Sequence, residues 1–180
     1  ISVGVPGNVA LAVKAHARRG KLPWARLLGP AIKLARQGFT ITPRLYAMLK
    51  GNAATGAYTA EGRKLFYGAD GEPLPVGTRV TNPALAATLS ALATQGAKAF
   101  YTGANRRAIV SAVTLAPRGA APMSEGDVGA YAAKDREPVC GNYRQYRICG
   151  MGPPSSGATT VFATLKQLER FDLTALGKDS

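Results

Sequence analysis

Apolar positions recur at helical spacing along most of this chain, with Gly and Pro marking the breaks. Residues 8–19 are Ala-rich; Asn8 is placed to cap the start of a helix and Gly20 to close it. Pro23 suits a first helical position, and Trp24, Leu27, Leu28, Ala31, Leu34 and Ala35 then form one apolar face. Pro30 interrupts that run, which predicts a kink or two short helices ending at Gly38. Thr42-Pro43 opens a third helix with Leu45, Met48 and Leu49 inward. Residues 51–77 read as loop, with short extended pieces near Leu65–Tyr67 and Thr78–Thr81. Asn82-Pro83 starts a helix whose inward face is Leu85, Leu89 and Leu92, ended by Gly96. A helical turn is expected over 97–101, and a helix with Ile109, Ala112 and Val113 inward over 104–115. Pro117–Pro122 reads as loop. Ser124 and Asp127 have the S-x-x-D form of a capped start to a short helix ending near Tyr131. Residues 139–151 alternate about a compact turn and predict a hairpin. The last helix carries Val161, Leu165 and Leu168. The fold class is mainly α with a small β-hairpin, a single domain over 1–180.

Charge changes this picture less than its size implies. The net charge is +13 over 180 residues, a field that favours anionic partners. The basic pairs Arg18-Arg19, Arg63-Lys64 and Arg106-Arg107 are dispersed, however, and no basic stripe carries interleaved aromatics. No nucleic-acid partner is therefore expected. The apolar runs are too short for a membrane span. Ile1 opens the chain without a leader pattern, and both ends read as cuts in a longer precursor.

The two cysteines, Cys140 and Cys149, exclude a dense disulfide scaffold and a four-cysteine zinc site. With a two-residue loop at Arg144-Gln145, Tyr143 faces Tyr146, and counting outward sets Cys140 opposite Cys149 at a non-hydrogen-bonded pair. Two readings follow: a cross-strand disulfide, or two small apolar residues on the buried face.

Several stretches in order resemble the γ-glutamyltranspeptidase family. Residues 2–10, SVGVPGNVA, are close to its S-x-G-x-P-G-T-V-A signature. GKLPWARLLGPAIKLARQGF follows at 20–39, and NPALAATLSALATQGAKAFYTG at 82–103 is similar to a leucine-patterned helix ending in F-Y-x-G. SEGDVGAYAAKDREPVCGNYRQYRI at 124–148 looks like the segment containing R-x-P and Y-R-G-Y; GPPSSGATTVFATLKQLERFDL at 152–173 resembles P-P-S-S-G-G and its helix. The resemblance implies the large-subunit portion of an N-terminal-nucleophile hydrolase, αββα in the intact enzyme. The precursor cleaves itself, and a newly exposed threonine, with its own α-amine as base, transfers or hydrolyses γ-glutamyl groups from compounds such as glutathione. It implies the rest of the precursor, including the small catalytic subunit, as partner. It also implies a periplasmic or secreted location, which permits oxidised cysteines, and no cofactor.

No position here matches a catalytic, substrate-binding or metal-ligating residue of that family, so the chain alone is expected to be inactive. Pro153, Pro154, Ser155, Ser156 and Gly157 are expected to form a loop in the wall of the active site. Thr159-Thr160 is internal and lacks a free amine; Ser155 or Ser156 is better read as a helix cap than as a hydrolase serine, since no G-x-S-x-G elbow surrounds it and His16 is the only histidine. Asp127, Asp135 and Glu137 read as surface ion pairing with Arg136 rather than as acid/base carboxylates. The chain departs from the family at Ala158, at Gly119-Ala120 and at Gln145, where glycines are usual. These departures leave open a divergent, cephalosporin-acylase-like or polyglutamate-processing member. From the charge alone, a stand-alone basic binding module is the competing reading.

Overall fold

A computed structural model describes residues 3–116, 119 and 121–177. Two compact units divide them, Ile1–Ala133 and Lys134–Ser180.

The first unit is helical. Helices α1 (Asn8–Arg19) and α2 (Trp24–Gln37) lead to strand β1 (Phe39–Thr40), then α3 (Pro43–Gly51), α4 (Ala53–Gly56) and α5 (Ala60–Phe66). Strand β2 (Arg79–Val80), α6 (Pro83–Gln95), α7 (Lys98–Tyr101), α8 (Gly103–Thr114) and α9 (Glu125–Gly129) complete it. Strands β1 and β2 pair antiparallel, Phe39 with Val80 and Thr40 with Arg79. Beside this ladder, Ile41 N–H donates to Thr78 O and Gly77 N–H to Ile41 O.

Helix α2 runs unbroken through Pro30, so the expected division into two helices is corrected. Burial against α6 holds it: Ala35 is buried, the Trp24 indole N–H donates to Leu92 O at 2.8 Å, and Asn82 N–H donates to Ala35 O. A missing backbone bond at one proline is outweighed when the rest of the helix is anchored. Gly38 leaves the helix at φ 85°, where a side chain would be strained, and its own N–H still bonds Leu34 O.

Residues 51–77 are not all loop. Thr59 accepts from Gly62 N–H and starts α5, which extends over Leu65 and Phe66 where an extended piece was expected; only Tyr67 bridges to Pro73. Asn8 is likewise the first residue of α1 rather than its cap, a place taken by Gly7, and Gly20 ends the helix in extended rather than left-handed geometry. Thr42 and Asn82 do cap α3 and α6, accepting from Leu45 N–H and Leu85 N–H.

Tyr101, Met123 and Val128 centre the core of this unit, with Val5, Val9, Phe100, Ile109 and Val113 packed around them. The Tyr101 hydroxyl donates to Pro6 O at 2.7 Å and accepts from Ala10 N–H at 3.1 Å. It thereby satisfies one of the donors that every helix leaves open in its first turn. The Tyr101 ring stacks on Tyr131 at 5.9 Å, and a Cβ on Gly7 would overlap the Tyr131 hydroxyl. The valine and proline of the opening signature thus meet the tyrosine of the F-Y-x-G motif, and its glycine meets Tyr131.

The second unit is a hairpin with a helix on it. Strands β3 (Val139–Tyr143) and β4 (Tyr146–Gly150) pair in the register counted from the sequence, Cys140 opposite Cys149 and Tyr143 opposite Tyr146. Helix α10 (Gly157–Leu168) packs on both strands, and a short α11 (Leu173–Leu176), capped by Asp172, follows. Mainly α with small antiparallel strand pairs describes the described residues of both units.

Candidate functional site

The loop expected to line an active site joins β4 to α10. Gly152 is buried, and a Cβ there would come 2.8 Å from Val139 Cγ2. Pro153-Pro154 is a cis peptide. Ser155 N–H donates to Gly152 O, and Ser155 Oγ accepts from Gly157 N–H at 3.3 Å. Ser156 occupies the cap position of α10, but its hydroxyl makes no capping bond; its carbonyl takes the Thr160 N–H and the Thr159 hydroxyl instead. The structural role expected of the two serines is therefore split: Ser155 caps by side chain and Ser156 by backbone.

Packing explains the departure at residue 158. Ala158 is buried against the hairpin, and a Cβ on Gly150 would meet its methyl at 2.9 Å. The methyl added at 158 fits because position 150 carries none. Phe162 fills the next place on the helix face, where a Cβ on Gly141 would come 3.3 Å from its ring, while Val161 is exposed. At the turn, the left-handed residue is Arg144 (φ 52°), not Gln145 as the family's glycine position implies. That strain is held from several sides. Arg144 N–H donates to Glu169 Oε1 at 2.7 Å, its guanidinium reaches Phe171 O at 3.3 Å and lies 5.4 Å from the Tyr143 ring centre. The Lys166 ammonium, 2.7 Å from Glu169 Oε2, and then the Arg144 N–H hold the Glu169 carboxyl below the usual carboxylate range.

Cys140 and Cys149 are joined in a disulfide, with Cα atoms 4.1 Å apart. Cys149 is exposed, so the alternative of a wholly buried apolar pair is set aside. A shallow hollow of about 170 Å³ beside β4 is lined by Cys149, Gly150, Gly157, Ala158 and Val161 among others.

Thr159 and Thr160 lie in the first turn of α10 with their nitrogens in peptide bonds. The second unit holds no histidine. In the first unit, His16 Nε2 is 2.8 Å from Leu22 O and its ring meets Trp24 edge-on at 5.3 Å. Asp127 is committed to a capping box with Ser124: Ser124 N–H donates to its Oδ2 at 2.7 Å and Ser124 Oγ accepts from Asp127 N–H at 3.0 Å. The Ser124 backbone N–H, then its hydroxyl, hold the Asp127 carboxyl below the ordinary range. Among the described residues, no group of three or more metal-ligating side chains converges, and no helix is long and apolar enough to cross a membrane. Of the glycine departures, Ala120 lies outside the described residues.

The polar groups named above bond backbone: Ser155 and Ser124 at helix starts, and Glu169 at the hairpin turn. The γ-glutamyltranspeptidase profile matches residues 1–180, and the chain belongs to that family. It is 37% identical over 174 residues to glutathione hydrolase 2 of Arabidopsis thaliana, covering 96% of this chain and 29% of that protein. Against the acylase ACY 1 proenzyme of Pseudomonas sp. (strain V22) it is 38% identical over 176 residues, covering 98% and 31%. The crystal structure of Helicobacter pylori γ-glutamyltranspeptidase superposes with a TM-score of 0.86 at 34% identity, over 99% of this chain and 50% of that one. The chain thus spans about a third of the length of these curated relatives.

Proposed function

We propose that residues 1–180 form the scaffold portion, one mainly helical domain, of an enzyme that transfers or hydrolyses γ-glutamyl groups. Its nucleophile is an N-terminal threonine outside this chain. The hydroxyl of that threonine attacks the γ-glutamyl amide carbon while its α-amine takes the proton. The amine product leaves, and water or an amino acid resolves the ester. The observation that carries this reading is the match along the whole chain to a family of enzymes, joined to the commitment of Ser155, Thr159, Ser124 and Asp127 to bonds at helix starts. The remainder of the precursor is the partner, a reading supported by the word proenzyme in the name of a relative. In the first unit, Ala31, Leu34, Phe39, Leu65, Leu85 and Leu89 line an apolar groove of about 310 Å³ fit for such a partner. Export to the periplasm or beyond belongs to the same proposal and suits the disulfide.

The test is release of anilide from a γ-glutamyl anilide by purified 1–180 and by the full-length gene product. Activity in the longer protein only is expected; turnover by 1–180 alone overturns the scaffold reading. A second reading, an acylase acting on other amides, is favoured by the nearly equal identity to the acylase proenzyme. A full-length protein that cleaves acyl amides and leaves γ-glutamyl anilide untouched decides for it.

A further inference from the structure

The hairpin has two unlike faces. Gly141, Ile148 and Gly150 alternate with Cys140 and Cys149, and the glycines of that first set meet Phe162 and Ala158 of α10. The cysteines therefore project from the opposite face, where Asn142 and Arg147 form the adjacent cross-strand pair. Cys140 is half-buried and Cys149 exposed. Arg147 stands two positions from Cys149 on the same strand and face, within reach of a long side chain.

We propose that Cys140–Cys149 is an exchange site for a small anionic peptide thiol, with Cys149 the sulfur attacked. Access decides which sulfur is reached first, and Cys149 is the more exposed residue of the two. A thiolate attacks Cys149 Sγ; the Sγ–Sγ bond breaks, a mixed disulfide forms on Cys149, and the electron pair leaves on Cys140, which takes a proton from water. A second thiolate attacks the sulfur of the bound peptide, giving the peptide disulfide and the Cys149 thiolate. The protein disulfide is reduced and two thiols are oxidised. Arg147 draws a carboxylate-bearing thiol to this face and favours the thiolate among the forms of the departing cysteine. The identity of the thiol rests on the γ-glutamyl reading, because glutathione is both a γ-glutamyl compound and an anionic thiol; the chemistry of the site does not.

The test uses full-length protein in the oxidised state, treated with reduced glutathione or with 2-mercaptoethanol at equal thiolate concentration, quenched by alkylation and read by intact mass and peptide mapping. The expected result is a glutathione adduct on Cys149, formed faster than the neutral adduct by on the order of three- to ten-fold, the size one screened charge contact supplies. In Arg147→Gln that ratio falls toward one while the rate with 2-mercaptoethanol is retained. An adduct on Cys140, a disulfide that resists both thiols, or a ratio unchanged by Arg147→Gln overturns the proposal. Anilide turnover measured on the same samples separates this outcome from failure of the γ-glutamyl reading.

Discussion

Ala158 and Gly150 show how a single methyl is accommodated. The sequence marks Ala158 as a departure from its family, but no pattern in it names Gly150 as the residue that makes room, since the two meet only when β4 lies against α10. Gly150→Ala is expected to cost about 1–3 kcal/mol by overpacking, read from chemical denaturation. Adding Ala158→Gly should recover most of that loss. Absence of recovery would mean that the cost comes from the strand backbone and not from the methyl contact.

At the scale of elements, the sequence was most legible where a side chain closes its own backbone. Thr42, Asn82 and Ser124 each announce a helix by a bond made three residues away, and all three bonds are present. Asn82→Ala is expected to destabilise by about 1 kcal/mol, lowering the thermal midpoint. The hairpin register was equally legible because a two-residue loop leaves no freedom in the count. Legibility failed where local signals conflict or are weak. Pro30 argues against continuity, but the packing of α2 on α6 prevails; the Gly- and Ala-rich stretch around α5 conceals a helix held by Thr59. The capping box also carries a pH dependence. Because the folded pKa of Asp127 is depressed, its stabilisation is complete above the ordinary carboxylate range and is lost as pH falls through the lower folded value. Glu169 acts in the same direction in the second unit. Thermal melts between neutral and acid pH should therefore show a smaller acid-side loss for Asp127→Asn than for the parent chain, and an equal loss would remove the capping box as its source.

For the molecule as a whole, apolar periodicity predicted helices correctly but burial unevenly. Met48 and Leu85, read as inward, and Leu27 and Leu34, read as part of one apolar face, are exposed, Leu34 at 56%. Periodicity reports that a face is apolar, not what covers it. The structure supplies covers for Ala35, Ala86 and Leu92 but leaves Leu34, Phe39 and Leu85 along an open groove. Purified 1–180 is thus expected to bind an apolar dye and self-associate with rising concentration, whereas Leu34→Glu with Leu85→Lys suppresses both. Dye binding and sedimentation unchanged by that pair would locate the exposed apolar surface elsewhere.

The short ladder β1–β2 has a consequence for how this unit tolerates change. Phe39 and Thr40 are tied to Val80 and Arg79, and Ile41 to Thr78 and Gly77, so the excursion between them leaves and returns at one place. Helices α3, α4 and α5 hang from that junction like a module from a hinge plate. Because closing a longer or shorter loop costs only slowly varying entropy, this excursion is the part of the first unit that insertion, deletion or exchange can rewrite while α2 and α6 stay in register.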